Sequence, residues 1–135
     1  MSRMLFVNLP VADITATREF FTTLGFAIND TFSDENTASV VISDQAIVMM
    51  LQTERFRSFV AEGDIVDTTV AREALFALSA DTRDGVDDLV DAALAAGASP
   101  WGEPQDLGFM YGRSFRDLDG HAWEVVWMDP AQIPG

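Results

Sequence analysis

Cysteine and lysine are absent from this chain of 135 residues, and histidine occurs once, as His121. Without cysteine there are no disulfides, no thiol nucleophile and no cysteine-bound iron–sulfur cluster. Without lysine there is neither a phosphate-loop lysine nor a Schiff-base catalyst. A Gly-rich phosphate loop and a serine in a strand-to-helix elbow are also missing. With one imidazole and no thiolate, any metal enzyme built here needs oxygen ligands, a ligand from a partner chain, or His121 itself.

Long apolar runs are missing as well. No segment approaches the roughly 20 residues needed to span a bilayer. The opening MSRMLFVNLPVAD alternates like a strand and ends in an aspartate, unlike a secretory signal. A cytoplasmic location is therefore expected. Basic residues are few: eight, all arginine, against 22 acidic ones, for a net charge of −14. Such a field repels phosphate, which argues against nucleic acid and anionic membrane surfaces as partners. The acidity serves solubility, and among small molecules it favours cationic ones.

What the chain has is a core. Apolar residues make up 48% of it, including ten phenylalanines and three tryptophans. This suits one compact domain over residues 1–135. Residues 4–10 alternate as a strand, and Asp13 reads as the N-cap of a helix running to Leu24, with Gly25 as its stop. Strands are expected near 26–32, 38–43 and 46–52. A polar connection over 53–72 follows, with a short helix around Glu54–Val60.

The pattern then recurs. A strand over 74–79 leads to a helix capped by Asp84 and running to Ala96, with Asp87 serving the free amides of its first turn. Strands near 98–105, 109–116 and 122–128 complete the second half. The expected fold is thus α+β: module one at 1–52, module two at 73–128, and a tail at 129–135. Two βαβββ modules can form a curved mixed sheet with helices on the convex face and a concave cavity for a ligand.

Alternation assigns faces within the strands. Glu124 shares a face with Ala122 and Val126, opposite the bulky Trp123, Val125 and Trp127, and is expected to point into the concavity. There it is a candidate general base or metal ligand, or else a hydrogen-bonded strut. Phe6 and Asn8 share a face of the first strand, as aromatic lining and polar anchor, although Asn8 could equally satisfy the backbone near Pro10. Met49 alternates with Met50, and Gln52 with Leu51, which leaves open which pair turns inward. Tyr111 and Arg113 share a face of the seventh strand. If that face is concave, Arg113 can pair with Glu124 or orient an anionic group, and Tyr111 offers a ring and a hydroxyl.

Three segments carry a resemblance. Phe6-Val7-Asn8-Leu9-Pro10-Val11-Ala12-Asp13 resembles the first strand and helix cap of the vicinal oxygen chelate superfamily, which includes glyoxalase I, extradiol dioxygenases and bleomycin-resistance proteins. Arg18 to Phe26 is similar to its F-Y/F-x-x-L-G-F segment. Phe115 to Glu124 looks like its penultimate strand, D-P-D-G turn and final strand. The nearest resemblance is to bacterial predicted lactoylglutathione-lyase-like proteins.

The resemblance implies metal ligands at four positions, of which only Glu124 carries over. The others fall at Phe6, near Leu75, and near Met49, where a small shift brings in Gln52. Neither standard glyoxalase I nor extradiol dioxygenase chemistry is expected from such a set. The expected function is small-molecule binding: sequestration of an amphipathic or cationic ligand in an apolar cavity lined by Phe6, Asn8, Met49, Gln52, Tyr111, Arg113 and Glu124. The alternative is a noncanonical lyase or isomerase using Glu124 as base or residual ligand of a divalent ion (Ni, Zn, Mn or Fe). No other cofactor is implied, and the resemblance further implies a homodimer.

Overall fold

A computed structural model describes residues 3–132. The chain divides into two compact units between Val66 and Asp67, and its strands form one mixed sheet in each. The α+β class and the βαβββ pattern are as the sequence leads one to expect. Among the described residues no helix is long and apolar enough to cross a membrane.

In the first unit, strand β1 (Leu5–Val11) leads to helix α1 (Ile14–Thr23). Asp13 caps the helix by accepting the Ala16 amide at 3.1 Å. Strands β2 (Ala27–Ile28), β3 (Thr37–Val41) and β4 (Ala46–Gln52) follow, in the sheet order β1-β4-β3-β2. The β1–β4 pair is parallel, and β4, β3 and β2 form antiparallel pairs. Helix α2 (Thr53–Phe59) closes the connection, and the Thr53 hydroxyl ties it to the Val11 carbonyl at 3.2 Å.

Register sorts the residues by face. Leu9 pairs with Met50, and Met50 with Ala38; Met50 and Ala38 are fully buried with Val40 on the face that α1 covers. There Phe20 and Phe21 pack edge to face at 5.0 Å. The other face carries Phe6, Asn8, Ile47, Met49, Ser39 and Thr37. The strand expected over 26–32 is cut short, because the Asn29 side chain accepts the Thr31 amide and starts a 3-10 turn at Asp30–Phe32.

The second unit repeats the plan with strand β5 (Phe76–Ser79), helix α3 (Arg83–Ala95) and strands β6 (Ser99–Pro100), β7 (Gln105–Asp106), β8 (Met110–Arg116) and β9 (Ala122–Met128). Their order is β5-β9-β8-β6, with β7 also on β8. The strand expected at 98–105 is two short ones, interrupted where Gly102 takes a φ of +68° between Pro100 and Pro104.

Two assignments at α3 need correction. Thr82, not Asp84, caps the helix: its hydroxyl accepts the Gly85 amide at 2.9 Å, and Asp84 falls inside the first turn. Asp87 does not serve the helix terminus either. It lies one turn further in and reaches across to β8. The tail expected at 129–135 begins with a 3-10 turn, Pro130–Gln132; residues 133–135 lie outside the described residues.

Candidate functional site

The open face of the first sheet holds a hollow of about 480 Å³. Parallel pairing sets Phe6 beside Ile47 and Asn8 beside Met49, and antiparallel pairing sets Ser39 on the other side of Met49. Met4 and Phe32 complete the walls, and Asn29 joins Asn8 and Ser39 as a polar member. Phe6 is 55% exposed and Phe32 66%. Aromatic rings left open to water beside one another mark a surface meant to be covered. The Asn8 carboxamide is exposed and makes no hydrogen bond among the described residues, so it is free to orient a ligand.

A second hollow of about 340 Å³ shares Asn8, Phe32 and Met49 with the first and continues toward α2, where Arg55 and Phe59 line it with Thr37 and Asp34. Phe6, Asn8 and Met49 are therefore brought together on one hollow. Gln52 is not among them. At the end of β4 its side chain turns to accept the Glu54 amide at 2.9 Å and caps α2.

Tyr111 and Arg113 are placed elsewhere, and here the structure overturns the concave placement and the pairing of Arg113 with Glu124. Both stand on the helix-covered face of the second sheet, with Arg113 opposite Val125 and Tyr111 opposite Trp127. The Tyr111 hydroxyl donates to Asp87 at 2.7 Å, and Arg113 donates to Asp87 at 2.9 Å and to Asp91 at 3.0 Å. The Tyr111 hydrogen bond, then that of Arg113, hold the Asp87 carboxyl below the usual carboxylate range, and the same carboxylate raises the Tyr111 phenol. Arg83 joins the cluster, lying 4.7 Å from the Tyr111 ring centroid and bonded to Asp106. The cluster fastens α3 to the sheet.

Glu124 does face away from α3, opposite Ser114 on β8 and Ala77 on β5. Ala77, Ser79, Gly112, Ser114, Ala122 and Val126 share that face with it. It makes no hydrogen bond or ion pair among the described residues. Arg116, diagonal to it, has a buried Nε without a hydrogen-bond partner among the described residues. The turn ahead of Glu124 is organised by Asp117, which accepts the Asp119 and His121 amides and the Trp123 indole N–H.

The divalent ion that the resemblance implies does not fit these residues. No group of three or more His, Cys, Asp or Glu side chains among the described residues could hold a metal. Phe6 and Met49 offer the hollow hydrocarbon and thioether, Gln52 is engaged as a cap, and Glu124 stands alone as an acid on its face. A hard cation needs several converging oxygen or imidazole donors.

Sequence reasoning missed Phe32, Ile47, Arg55 and Phe59. Phe32 falls where a strand is expected and a 3-10 turn stands, and Arg55 lies in the polar connection. Phe59, a large apolar residue in a largely polar connection, is the signal the sequence did carry.

Comparison with known proteins gives the setting. A family model described as bleomycin resistance protein-like N-terminal matches residues 3–43. No curated protein matches the chain. Among solved structures, a hypothetical protein from S. aureus is similar at 26% identity and a TM-score of 0.78, covering 94% of this chain and 95% of its own. A glyoxalase/bleomycin resistance protein/dioxygenase family enzyme from Burkholderia phytofirmans aligns at 19% identity and a TM-score of 0.76 over 94% of this chain and 99% of that one. The fosfomycin resistance protein FosX from Listeria monocytogenes aligns at 18% and 0.66, over 94% and 91%. The chain thus has the vicinal oxygen chelate fold, that of glyoxalases, bleomycin-resistance proteins and related dioxygenases.

Proposed function

We propose that this protein binds an amphipathic small molecule on the open face of its first sheet. The observation that carries this reading is the hollow itself: Phe6, Phe32, Ile47 and Met49 form apolar walls around the unpaired carboxamide of Asn8. Ligand sites of this kind pair a largely apolar surface with a few polar groups that set orientation. The fold is shared with resistance proteins, some of whose names record drug resistance, and sequestration would need no reacting group at all.

A second reading keeps Glu124 as a general base in a lyase or isomerase. Its support is that the carboxylate is unpaired and partly accessible, as a base must be to reach a substrate proton. The two readings separate with a neutral apolar dye such as Nile red. Burying a phenylalanine ring is worth ~1.5–3 kcal/mol, so Phe6→Ala should weaken saturable dye binding by about tenfold or more. Glu124→Gln should leave it unchanged. Binding indifferent to Phe6→Ala and Met49→Ala, but lost in Glu124→Gln, would move the site to the second sheet.

A further inference from the structure

Resting on the reading of the Phe6–Met49 hollow as a ligand site, we propose that its ligand is an amphipathic oxyanion. Its apolar body lies along Phe6, Ile47 and Met49, and its carboxylate or comparable head reaches the α2 end, where Arg55 receives it. Net charge alone points the other way, toward a cation. The local groups decide otherwise.

Arg55 is the first of them. In a chain with 22 acidic residues and eight arginines, Arg18, Arg57, Arg83 and Arg113 each have a carboxylate partner. Arg3, Arg72 and Arg116 have none among the described residues, Arg72 donating instead to the Gly120 and Thr68 carbonyls, and none of these three lines the hollows. Arg55 has none among the described residues; its guanidinium instead lies 5.7 Å from the Phe59 ring centroid, and both line the second hollow. A guanidinium resting on an aromatic face keeps its fork of N–H donors for a planar oxyanion.

The other polar groups agree. Asn8 sits where the two hollows meet and can donate its amide protons. Thr37, 4% exposed, closes the floor and adds no charge of its own. Asp34 is the acidic residue of the lining, and its Oδ1 already accepts the Asn36 amide at 2.8 Å. Glu54, next to Arg55 in sequence, is paired with Arg57.

Long-range repulsion does not cancel this arrangement. At 0.1 M salt the screening length is about 10 Å, so distant carboxylates slow the encounter of an anion more than they weaken its contact with Arg55.

The test uses three probes sharing one tail, each below its micelle concentration: octanoate, octanol and octyltrimethylammonium, titrated calorimetrically. Octanoate should bind about tenfold more tightly than octanol, a difference of ~1.4 kcal/mol, and the ammonium more weakly than octanol. Arg55→Gln should abolish the octanoate preference while octanol affinity stays. Asp34→Asn should strengthen octanoate binding, which gives a second readout independent of α2. Octanoate no tighter than octanol, or a preference that survives Arg55→Gln, overturns the oxyanion proposal while the hollow stands, provided octanol binding still falls in Phe6→Ala. If none of the three binds, the hollow and its ligand class fall together.

Discussion

Asp117→Ala is expected to destabilise the second unit by about 3 kcal/mol, and the sum can be worked from its contacts. The Asp117 carboxylate is 6% exposed. One oxygen accepts the Asp119 amide at 2.9 Å and the His121 amide at 3.0 Å; the other accepts the Trp123 indole N–H at 2.9 Å. His121 is 9% exposed and Trp123 1%. Alanine leaves the His121 and Trp123 donors buried without an acceptor, at ~1–3 kcal/mol each, while the more accessible Asp119 amide turns to water at little cost. Water entering the vacated space rehydrates part of this, which sets the expectation near the lower half of the range. With a urea slope of ~2 kcal/mol per molar, the midpoint should fall by about 1.5 M. Tryptophan fluorescence follows the transition, since Trp101, Trp123 and Trp127 all belong to this unit. A double-mutant cycle with Trp123→Phe isolates the indole bond, and Asp117→Ala should cost ~1–2 kcal/mol less in that background. A cost below ~1 kcal/mol for Asp117→Ala, or no coupling to Trp123, would refute the account of the turn.

Gly120 has a φ of +85°, and a Cβ there would lie 2.3 Å from the Thr68 hydroxyl, which donates to the Asp119 carbonyl at 2.8 Å. Gly120→Ala should therefore cost ~2–3 kcal/mol, and less when Thr68 is also alanine; equal costs in both backgrounds, read from melting temperatures, would sink this. Asp87→Asn should lower stability at pH 7 by ~1 kcal/mol, a figure already reduced for solvent screening. The Asp87 carboxyl is depressed by the Tyr111 hydrogen bond first and Arg113 second, so its contribution is present above the ordinary value of 3.8 and is lost as pH falls through the depressed one. Urea midpoints of wild type and variant should accordingly converge below pH 4. Tyr111 is raised, so its share persists below pH 10 and fades above it.

How far the sequence could be read differs by residue type. Asp13, Phe20, Phe21 and Gly25 each favour the same helix and stop, so α1 was legible from cap to end. Strand faces were legible only as sets. Alternation shows that Tyr111, Arg113 and Phe115 share a side, but the side is chosen by α3, whose Asp87 and Asp91 stand four residues apart and meet Arg113. The same ambiguity at Met49 and Met50 is resolved by pairing with β1 and β3, which buries Met50 fully and opens Met49 to the hollow. Gln52 escaped because a strand-end residue can leave the strand's alternation to cap the next helix. Phe32 escaped because the Asn29 side chain accepts the Thr31 amide and turns the segment into a 3-10 turn.

The candidate site and the lost metal set bear on one another through a single residue. By resemblance, the position of Phe6 is where metal-dependent relatives place a histidine. A phenyl ring there removes a ligand and in the same step supplies a wall of the hollow, 55% exposed beside Met49 and Ile47. Glu124, the position that carries over, then has nothing to coordinate with: it faces Ser114 and Ala77, without an ion pair among the described residues. A carboxylate with no partner on its sheet contributes little to folding, whereas the ring at Phe6 forms a wall of the hollow. On the proposed reading, that ring buries the apolar part of a ligand. If Glu124 acts as the base of the second reading, Glu124→Gln abolishes that activity and leaves the melting temperature unchanged; a lowered melting temperature would instead return the residue to a structural role.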